Sequence, residues 1–426
     1  MTARAVFFSR RRGAYPGLSQ PMLTGDGLLV RLHPIGTVSL DAWAALCKAA
    51  RRYGNGIIEV TSRGSIQVRG LSAESAPLFA DEIAALGIAA ADGVPVISGV
   101  LGNLDPAEIL DSNTMADEMR RALARGGLAA RLPPKVSIII DGGGSFGLHQ
   151  LAADIRLRAE ANESSAVFCV SVGGDEASAA YLGSVTALDG VASALRLLEV
   201  IASRGGGARA RDINSAEGGA VFRSAIADLL IAHVDAPKTR QPGKIIATRR
   251  LRDGSFACGI GLPFGHGDAL ALERLANAAS AAGARGLCVS PDRALFVVGL
   301  TQEARLAFTA AAEQLGFIVH DDDPRRHVIA CAGAPTCAAG HIPARAMAPA
   351  ITKNLAAYAA DSFSVHISGC AKGCAHSGKA TLTIVGVPFG CALIGNGTVR
   401  DAPFATAPID DLPAAVVDHM REARHG

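Results

Sequence analysis

The stretch S-F-S-V-H-I-S-G-C-A-K-G-C at residues 362–374 has a counterpart earlier in the chain, K-V-S-I-I-I-D-G-G-G-S-F-G at residues 135–147. Each copy is a short apolar run, typical of a buried strand, followed by a glycine-rich turn. The copies stand 227 residues apart, so Gly143 in one matches Cys370 in the other. The repeat predicts a duplicated fold in which only the second copy carries thiols.

A second repeat lies outside the first one, at a spacing of 229 residues. In each copy a strand, a helix and two further strands follow one another; Leu28 to Leu32 has the strand pattern and Leu40 to Arg52 has helical spacing. The order predicts half of a ferredoxin-like unit, present twice. The matched residues are Pro34 with Pro263, Gly36 with Gly265, Leu46 with Leu275, Gly54 with Gly283, and Gly70 with Gly299.

The thiols of the second copy form two closely spaced pairs. Cys331 and Cys337 are separated by five residues in A-C-A-G-A-P-T-C, and Cys370 and Cys374 are separated by three. Small residues beside the thiols favour an iron–sulfur cluster, which is wide and accepts backbone N–H hydrogen bonds. Zinc is the competing metal, but zinc-binding pairs are usually closer in sequence. At the spacing of 229, the first copy has Gly102 and Glu108 in place of the first thiol pair.

Composition limits the classes of function. The 426 residues are enough for several domains, and 49% hydrophobic residues can fill their cores. A net charge of +2 argues against a nucleic-acid partner, and no stretch is long enough to cross a membrane. The N-terminal residues lack a signal-peptide core, so we expect a reducing cytoplasm with free thiols. The remaining cysteines are expected to be buried structural thiols: Cys47, Cys169, Cys258, Cys288 and Cys391.

Basic residues of the first half suggest an anion site. T-S-R-G-S-I-Q-V-R-G at residues 61–70 places two arginines on a turn and strand, on one face if the strand is regular. A lysine before the duplicated strand and the R-G-G-G-A-R-A-R segment at 204–211 can add to this surface, because guanidinium groups bind carboxylates bidentately. The alternative is a set of solvated surface cations. The candidate substrate-binding residues are Arg63, Arg69, Lys135, Arg209 and Arg211.

The two cysteine pairs, the T-x-R…Q-x-R-G segment, L-P-P-K…D-G-G-G and the doubled layout together resemble the sulfite and nitrite reductase superfamily. The resemblance covers nearly the whole chain, and it implies an α+β fold: two ferredoxin-like half-domains and two larger α/β domains, related by a pseudo-twofold repeat. The expected domains are 1–80, 81–240, 241–312 and 313–426, with the cluster in the last. Within the superfamily, R-G-A-Y-P-G-L-S-Q-P-M-L-T-G-D-G-L-L-V-R-L at 12–32 resembles the subgroup that oxidises a tetrapyrrole precursor of cobalamin.

The resemblance implies an oxidoreductase, specifically a monooxygenase, with a tetrapyrrole substrate, dioxygen, and electrons from a donor protein or an NAD(P)H-linked reductase. It implies that a 4Fe-4S cluster is held by Cys331, Cys337, Cys370 and Cys374, with a possible second iron centre. Two alternatives are a sirohaem-dependent sulfite or nitrite reductase and a non-catalytic iron–sulfur or tetrapyrrole-binding redox protein. Ser137, where sulfite reductases tend to have a second lysine, disfavours the reductase.

Two features leave questions open at the sequence level. The subgroup commonly has a cysteine where this chain has Tyr15. Histidines lie close to the cysteine motifs, yet no pattern of two histidines and one carboxylate, the usual ligand set of a non-haem oxygenase iron, is present among them. A histidine beside a cluster is more often a hydrogen-bond donor than a ligand. The histidines are His327, His341, His366 and His376.

Overall fold

The computed structural model describes residues 16–88, 93–146, 148–161, 165–231, 236–238, 240, 243–355, 363–376 and 378–425. Tyr15 therefore lies outside the described residues. The described chain forms four β-sheets with helices packed on them, which confirms the α+β class. The bounds of the four domains expected from the sequence remain a prediction.

The first and third segments of the chain have the same order of elements, except that the third has one additional short strand before its first helix. The first contains β1 (Met22–Thr24), β2 (Gly27–Leu32), α1 (Leu40–Tyr53), β3 (Ile57–Val60), β4 (Ile66–Leu71) and α2 (Ser75–Ala85).

The second segment forms the first large sheet and its helices. It contains β5 (Val96–Ser98), α3 (Ser112–Arg125), α4 (Leu128–Arg131), β6 (Ile138–Asp141), β7 (Ala153–Ala161), β8 (Ala166–Gly174), β9 (Ala180–Thr186), α5 (Gly190–Ser203), α6 (Ala210–Glu217), α7 (Ala220–Ala225) and β10 (Leu230–Ile231). The strand order is β10-β9-β8-β7-β6-β5, with β5, β6 and β7 parallel to one another.

The third segment contains β11 (Thr248–Arg250), β12 (Phe256–Gly261), β13 (His266–Asp268), α8 (Ala269–Ala281), β14 (Gly286–Ser290), β15 (Ala294–Leu300) and α9 (Ala304–Gln314). The fourth contains β16 (Val328–Ala330), α10 (Ala344–Leu355), β17 (Val365–Ser368), β18 (Ala380–Val387), β19 (Gly390–Gly397), β20 (Ala405–Ala407) and α11 (Leu412–His425). The second large sheet has the order β16-β17-β18-β19-β20, and its strands β16, β17 and β18 are parallel.

The two small sheets exchange structure with each other. The first small sheet has the order β1-β2-β4-β3-β13, so its last strand comes from the third segment. In return, Val38 of the first segment exchanges two backbone hydrogen bonds with Leu287 of the second small sheet, which has the order β11-β12-β15-β14. This reciprocity is the geometry of a pseudo-twofold axis, and it confirms the duplication read from the sequence.

A single hydrophobic core joins the two small sheets. Helix α1 contributes Trp43 and Leu46, α8 contributes Leu272 and Leu275, and all four side chains are fully buried in the same cluster. Each helix begins at a capped residue; the carboxylate of Asp268, for example, accepts hydrogen bonds from the first-turn N–H groups of α8. Because the two copies bury their helices against each other, neither ferredoxin-like half has a complete core by itself.

We expect Leu275→Ala to lower the free energy of unfolding by about 3 kcal/mol, because it leaves a cavity in this shared core. Trp43, the single tryptophan of the sequence, lies in the other copy and should report the loss in a urea titration followed by fluorescence. Leu382→Ala, in the separate core of the second large sheet, is the control. A Trp43 transition that responds no more to Leu275→Ala than to the control would contradict a shared core.

Candidate cluster and substrate site

The four cysteines of the sequence motif lie on two loops at one edge of the second large sheet. Cys331 directly follows β16, and Cys370 and Cys374 follow β17. Since β16 and β17 are parallel, their carboxyl ends meet at the same edge. The Sγ atom of Cys331 accepts a hydrogen bond from the backbone N–H of Gly369 at 3.0 Å. The strand direction therefore brings the two cysteine pairs together.

The pKa values of Cys331 and Cys374 are influenced by neighbouring cysteines of the two motifs. Burial is the main cause that raises the pKa of Cys331, and the neighbouring Cys374 and Cys337 raise it further. Burial also raises the pKa of Cys374, with added contributions from Cys370 and Cys337, while Lys372 and Arg69 oppose the rise. The four thiols thus form one electrostatic group.

The donor set fits a cluster better than a single ion. Across the described ranges, no three His, Cys, Asp or Glu side chains are grouped tightly enough to hold one metal ion. An iron–sulfur cluster is wider than one zinc ion and needs ligands that stand further apart, with small residues and N–H donors around it. A Cβ atom on Gly369 would lie 2.9 Å from the Cα of Gly333 and 3.4 Å from the Sγ of Cys331. Glycine is therefore required where the two loops meet.

The corresponding edge of the first large sheet is closed by polar contacts. Ser98 is opposite Ile140 in β5 and β6, as Ala330 is opposite Ile367 in β16 and β17. The next residue, Gly99, is therefore the structural match of Cys331. The sequence spacing that paired Gly102 with Cys331 was wrong by three residues, because the repeat spacing changes before these strands.

The same register matches Asp105, rather than Glu108, with Cys337. Asp105 is buried and its carboxylate accepts hydrogen bonds from the backbone N–H of Ser145 at 2.6 Å and from the Ser145 hydroxyl at 3.0 Å. Glu108 accepts from Ser112 at 2.5 Å, and burial raises its pKa. A carboxylate thus stands at the position that corresponds to Cys337, while Gly99 and Gly143 stand at those of Cys331 and Cys370.

The cysteine loops lie over a charged face of the first small sheet. Side chains alternate along its strands, so Val30, Ile58 and Val68 point into the core while the residues next to them point the other way. The residues on this second face are Arg31, Glu59, Gln67 and Arg69. We call them the polar face.

The same face of the second small sheet is apolar. The paired registers of the two sheets match Arg31 with Gly259, Glu59 with Cys288, Gln67 with Phe296, and Arg69 with Val298. This surface is filled by loops of the first large sheet, including Phe146, whose ring centroid lies 4.6 Å from that of Phe296. Of the two pseudo-equivalent faces, the charged one lies beneath the cysteine loops.

Three contacts connect the polar face to the cysteine loops. Arg69 is 7% exposed; its Nη2 lies 3.2 Å from Asp26 and 3.4 Å from the backbone carbonyl of Thr336, beside Cys337. Arg345, in the first turn of α10, forms a hydrogen-bonded ion pair with Glu59. A Cβ atom on Gly25 would lie 2.2 Å from the backbone nitrogen of Ala338, so the β1–β2 turn approaches the loop closely.

A cluster of basic residues borders the polar face at the first large sheet. Burial, followed by the charges of Arg31, Arg120 and Arg63, lowers the pKa of His33 to about 4. Arg120 donates to the backbone carbonyl of Val96 at 2.8 Å, and Arg63 donates to that of Ala152 at 2.9 Å. The N-terminal ends of β5 and β7 thereby hold two guanidinium groups at the border of the polar face.

The remaining predicted substrate residues divide into two groups. Lys135 is exposed, and extending the β6–β7 register by three residues places it beside Ala152, where Arg63 docks. Arg209 instead binds Asp154 bidentately, at 2.9 and 2.7 Å, and fixes the start of α6. Arg211 is on the solvent side of α6, with a side chain that is 78% exposed and 3.5 Å from Asp212. The structure therefore does not support the interpretation of these last two as site residues.

The histidines near the cysteine motifs have different surroundings. His366 is fully buried in β17, packs edge-on against His376 with ring centroids 5.6 Å apart, and has no hydrogen-bond partner for either ring nitrogen among the described residues. Burial lowers its pKa to about 3, so its ring is neutral at physiological pH. His327 packs against Phe363 instead. His341 donates its backbone N–H to Gly369.

Four site residues were missed by the sequence reasoning. Arg31 and His33 could have been found, because each interrupts an apolar strand pattern with a basic side chain. Arg345 follows the first cysteine pair by only a few residues, which is a weaker signal. Arg120 lies in an amphipathic helix, where an arginine is ordinary, so its role depends on tertiary packing.

The comparisons with known proteins agree with this geometry. Residues 20–86 match the family model described as the nitrite/sulfite reductase ferredoxin-like half domain. A precorrin-3B synthase from Sinorhizobium sp. is 37% identical over 96% of this chain and 88% of its own length. A ferredoxin–nitrite reductase from Synechococcus elongatus is 29% identical over 36% of this chain and 32% of its own length. The structure of the Mycobacterium tuberculosis NirA protein has a TM-score of 0.77 and 18% identity, and the match covers 92% of this chain and 80% of that one.

The duplicated architecture is thus that of the sulfite and nitrite reductase superfamily, and both curated relatives are enzymes. Within that class, the near full-length match shows that the chain belongs to the precorrin-3B synthase family. Among the described residues, no helix is long and apolar enough to cross a membrane.

The depressed pKa of His33 makes stability depend on pH. Its folded pKa of about 4 lies below the usual 6.5, so the unfolded chain binds a proton first and stability falls as the pH drops from 6.5 towards 4. We expect this residue to account for about 2 kcal/mol of the stability lost between pH 7.5 and 5. Urea titrations of the wild type and His33→Gln at both pH values measure it. Equal losses in the two proteins would contradict the prediction.

Proposed function

We propose that this protein is a precorrin-3B synthase that hydroxylates precorrin-3A at a meso-bridge carbon and closes a lactone with a neighbouring acetate. The observation that carries the proposal is the excess of buried cationic donors on and around the polar face, directly beneath the cysteine loops. A tetrapyrrole with many carboxylates is the kind of ligand that such donors bind.

The donors have identifiable atoms. Within the described part of the chain, buried nitrogens without a hydrogen-bond partner include Nε2 of His33, Nη1 of Arg63, Nε of Arg69, Nε of Arg120, and both Nε and Nη1 of Arg345. A buried donor without a partner costs about 1–3 kcal/mol, so their concentration in one region calls for an acceptor. Asp26, Glu59 and Asp117 are the carboxylates that pair with Arg69, Arg345 and Arg120, respectively. Substrate carboxylates would satisfy the remaining donors.

Binding at several points also explains how one carbon is selected. Arg63, Arg69 and Lys135 are proposed to contact different carboxylates of the substrate, joined by Arg120 and Arg345 from the adjoining helices. Several charge-assisted hydrogen bonds at fixed positions orient a large flat ligand, and orientation is a large part of the rate enhancement that a protein contributes. Arg209 and Arg211 are left out, because the first holds Asp154 and the second faces solvent.

The cysteine loops are proposed to hold a 4Fe-4S cluster through Cys331, Cys337, Cys370 and Cys374. When bound, the cluster supplies electrons one at a time. The overall reaction places one oxygen atom of dioxygen in the product and reduces the other to water with two electrons and two protons. We propose that the electrons come from a donor protein or an NAD(P)H-linked reductase, and that a second iron centre takes part. We also propose a cytoplasmic location, supported by nine cysteines that are all free thiols.

A sirohaem-dependent sulfite or nitrite reductase is the second candidate, favoured by the partial match to a nitrite reductase. Against it, the position where a second lysine is expected is occupied by Ser137, which is buried and donates its backbone N–H to the carboxylate of Asp154 at 3.1 Å. An anaerobic absorption spectrum of the purified protein separates the two candidates, because sirohaem has sharp visible bands. A non-catalytic binding protein would instead bind precorrin-3A and leave it unchanged.

We expect Cys374→Ser to abolish cluster assembly, because it removes one of four thiolate ligands. The measurement is an EPR spectrum of the reduced protein, with iron and sulfide quantified. Cys169→Ser is the matched control, since Cys169 is a buried thiol of β8 in the first large sheet, which carries neither cysteine motif. An intact cluster signal and full turnover in Cys374→Ser would remove this residue from the ligand set.

We expect Arg63→Ala to weaken precorrin-3A binding by about tenfold, which corresponds to one charge-assisted hydrogen bond, while the cluster spectrum stays unchanged. Anaerobic titration of the protein with precorrin-3A measures the dissociation constant. Arg211→Ala removes the same charge from an exposed position and should leave the constant at the wild-type value. Identical affinities for wild type and Arg63→Ala would take Arg63 out of the binding site.

A further inference from the structure

Four polar side chains stand in a row across the first small sheet. His266 is opposite Glu59, Glu59 is opposite Gln67, and Gln67 is opposite Arg31, so each of β13, β3, β4 and β2 contributes one of them. Neighbouring strands are about 4.8 Å apart, so the row extends over roughly 14 Å. We call these four residues the polar ladder.

Hydrogen bonds within the ladder have a defined direction. Arg31 donates through Nη2 to Oε1 of Gln67 at 2.6 Å, and Gln67 donates through Nε2 to Oε2 of Glu59 at 2.8 Å. The other carboxylate oxygen of Glu59 accepts from Nη2 of Arg345. Because a guanidinium can only donate and a carboxylate can only accept, the amide of Gln67 is held in one orientation between them.

The series of hydrogen bonds runs from Arg31 to Arg345, and these two arginines lie at different parts of the candidate site. Arg31 is at the end beside His33 and the two arginines Arg63 and Arg120, which donate to backbone carbonyls of the first large sheet. Arg345 is at the end where α10 begins, directly after the loop that carries Cys331 and Cys337. The side chains of Glu59 and Arg345 are only 13% and 14% exposed, so water competes little with their contact.

We propose that Glu59 is a positioning residue for substrate binding: through Gln67 it fixes the direction in which Arg31 presents its guanidinium to a carboxylate of the tetrapyrrole. Glu59 does not touch the substrate in this arrangement. Its charge anchors Gln67 from one side and Arg345 from the other, so the cation at the far end of the ladder is held by the half of the molecule that carries the cysteines. The inference rests on the proposed function.

The second small sheet supports this assignment by contrast. The matching positions there are Gly259, Phe296 and Cys288, which form no polar ladder and pack against Phe146 and Leu101. Neither the sheet fold nor its pairing therefore needs a charged row at these positions. A buried charged row is costly unless every member is paired, which points to a role in binding rather than in folding.

The test is a double-mutant cycle between Gln67→Met and Arg31→Ala, with Glu59→Gln as a third variant. Gln67→Met keeps the length of the side chain, removes both of its ladder hydrogen bonds, and leaves Glu59 paired with Arg345. We expect Gln67→Met and Glu59→Gln each to raise KM for precorrin-3A, Gln67→Met by about tenfold, with kcat changed much less. In the Arg31→Ala background, Gln67→Met should not raise KM further.

Glu82→Gln is the matched control, because Glu82 forms the same kind of ion pair with Arg52, at 3.2 Å, on an exposed surface. It should leave KM unchanged. Effects of Gln67→Met and Arg31→Ala that multiply in the double variant would overturn the proposal, since the two residues would then act independently. A wild-type protein that does not oxidise precorrin-3A would instead refute the proposed function.

A crystal structure of Gln67→Met provides a readout that does not depend on turnover. If Glu59 acts through Gln67, the Arg31 guanidinium should leave its wild-type position or become disordered, while Glu59 and Arg345 remain paired. An Arg31 side chain that keeps its wild-type direction in this variant would overturn the proposal even if KM has changed.

Discussion

The burial of α1 against α8 is the constraint on which the rest of the molecule depends. One core serves both small sheets, with Leu46 and Leu275 on opposite sides of it, and the exchange of β13 closes the arrangement. Each small sheet then has one face committed to this core and a second face turned towards a large sheet. A charged surface and an apolar one are therefore both possible on the same scaffold, and the side chains decide which is present.

Those side chains make the two halves of the molecule unequal. Beneath the cysteine loops the second face is charged, and Arg69 on it and Arg345 beside it have side-chain nitrogens with no hydrogen-bond partner in the part of the chain that the structure describes. On the other side of the pseudo-twofold axis the same face is closed by Phe146 and Phe296, and the turn equivalent to the cysteine loop is held by Asp105 and Ser145. Similar backbone topology thus supports a charged face in one copy and apolar packing in the other.

The sequence could predict the duplicated fold because glycines and apolar periods recur at nearly fixed spacing. It also pointed to the cysteine motifs, since their spacing and small neighbours are local features. The matching of individual residues failed where the spacing between the two copies changes, as between Gly99 and Cys331. An insertion between strands changes this spacing, so residues matched at one fixed spacing are no longer equivalent beyond it. The roles of Arg209 and Arg120 could not be predicted, because the sequence around an arginine does not reveal its partner in the fold. Arg209 binds a buried aspartate, whereas Arg120 donates to a backbone carbonyl of β5.

The apolar contact between Phe146 and Phe296 also bears on why both copies are held in a single polypeptide. In a symmetric homodimer every substitution appears in both subunits, so a change that fills a surface in one subunit fills the equivalent surface in the other as well. In a single chain that contains both copies, a substitution in one copy leaves the other copy unchanged. One copy can then fill this surface with apolar side chains while the other keeps charged side chains at the matching positions.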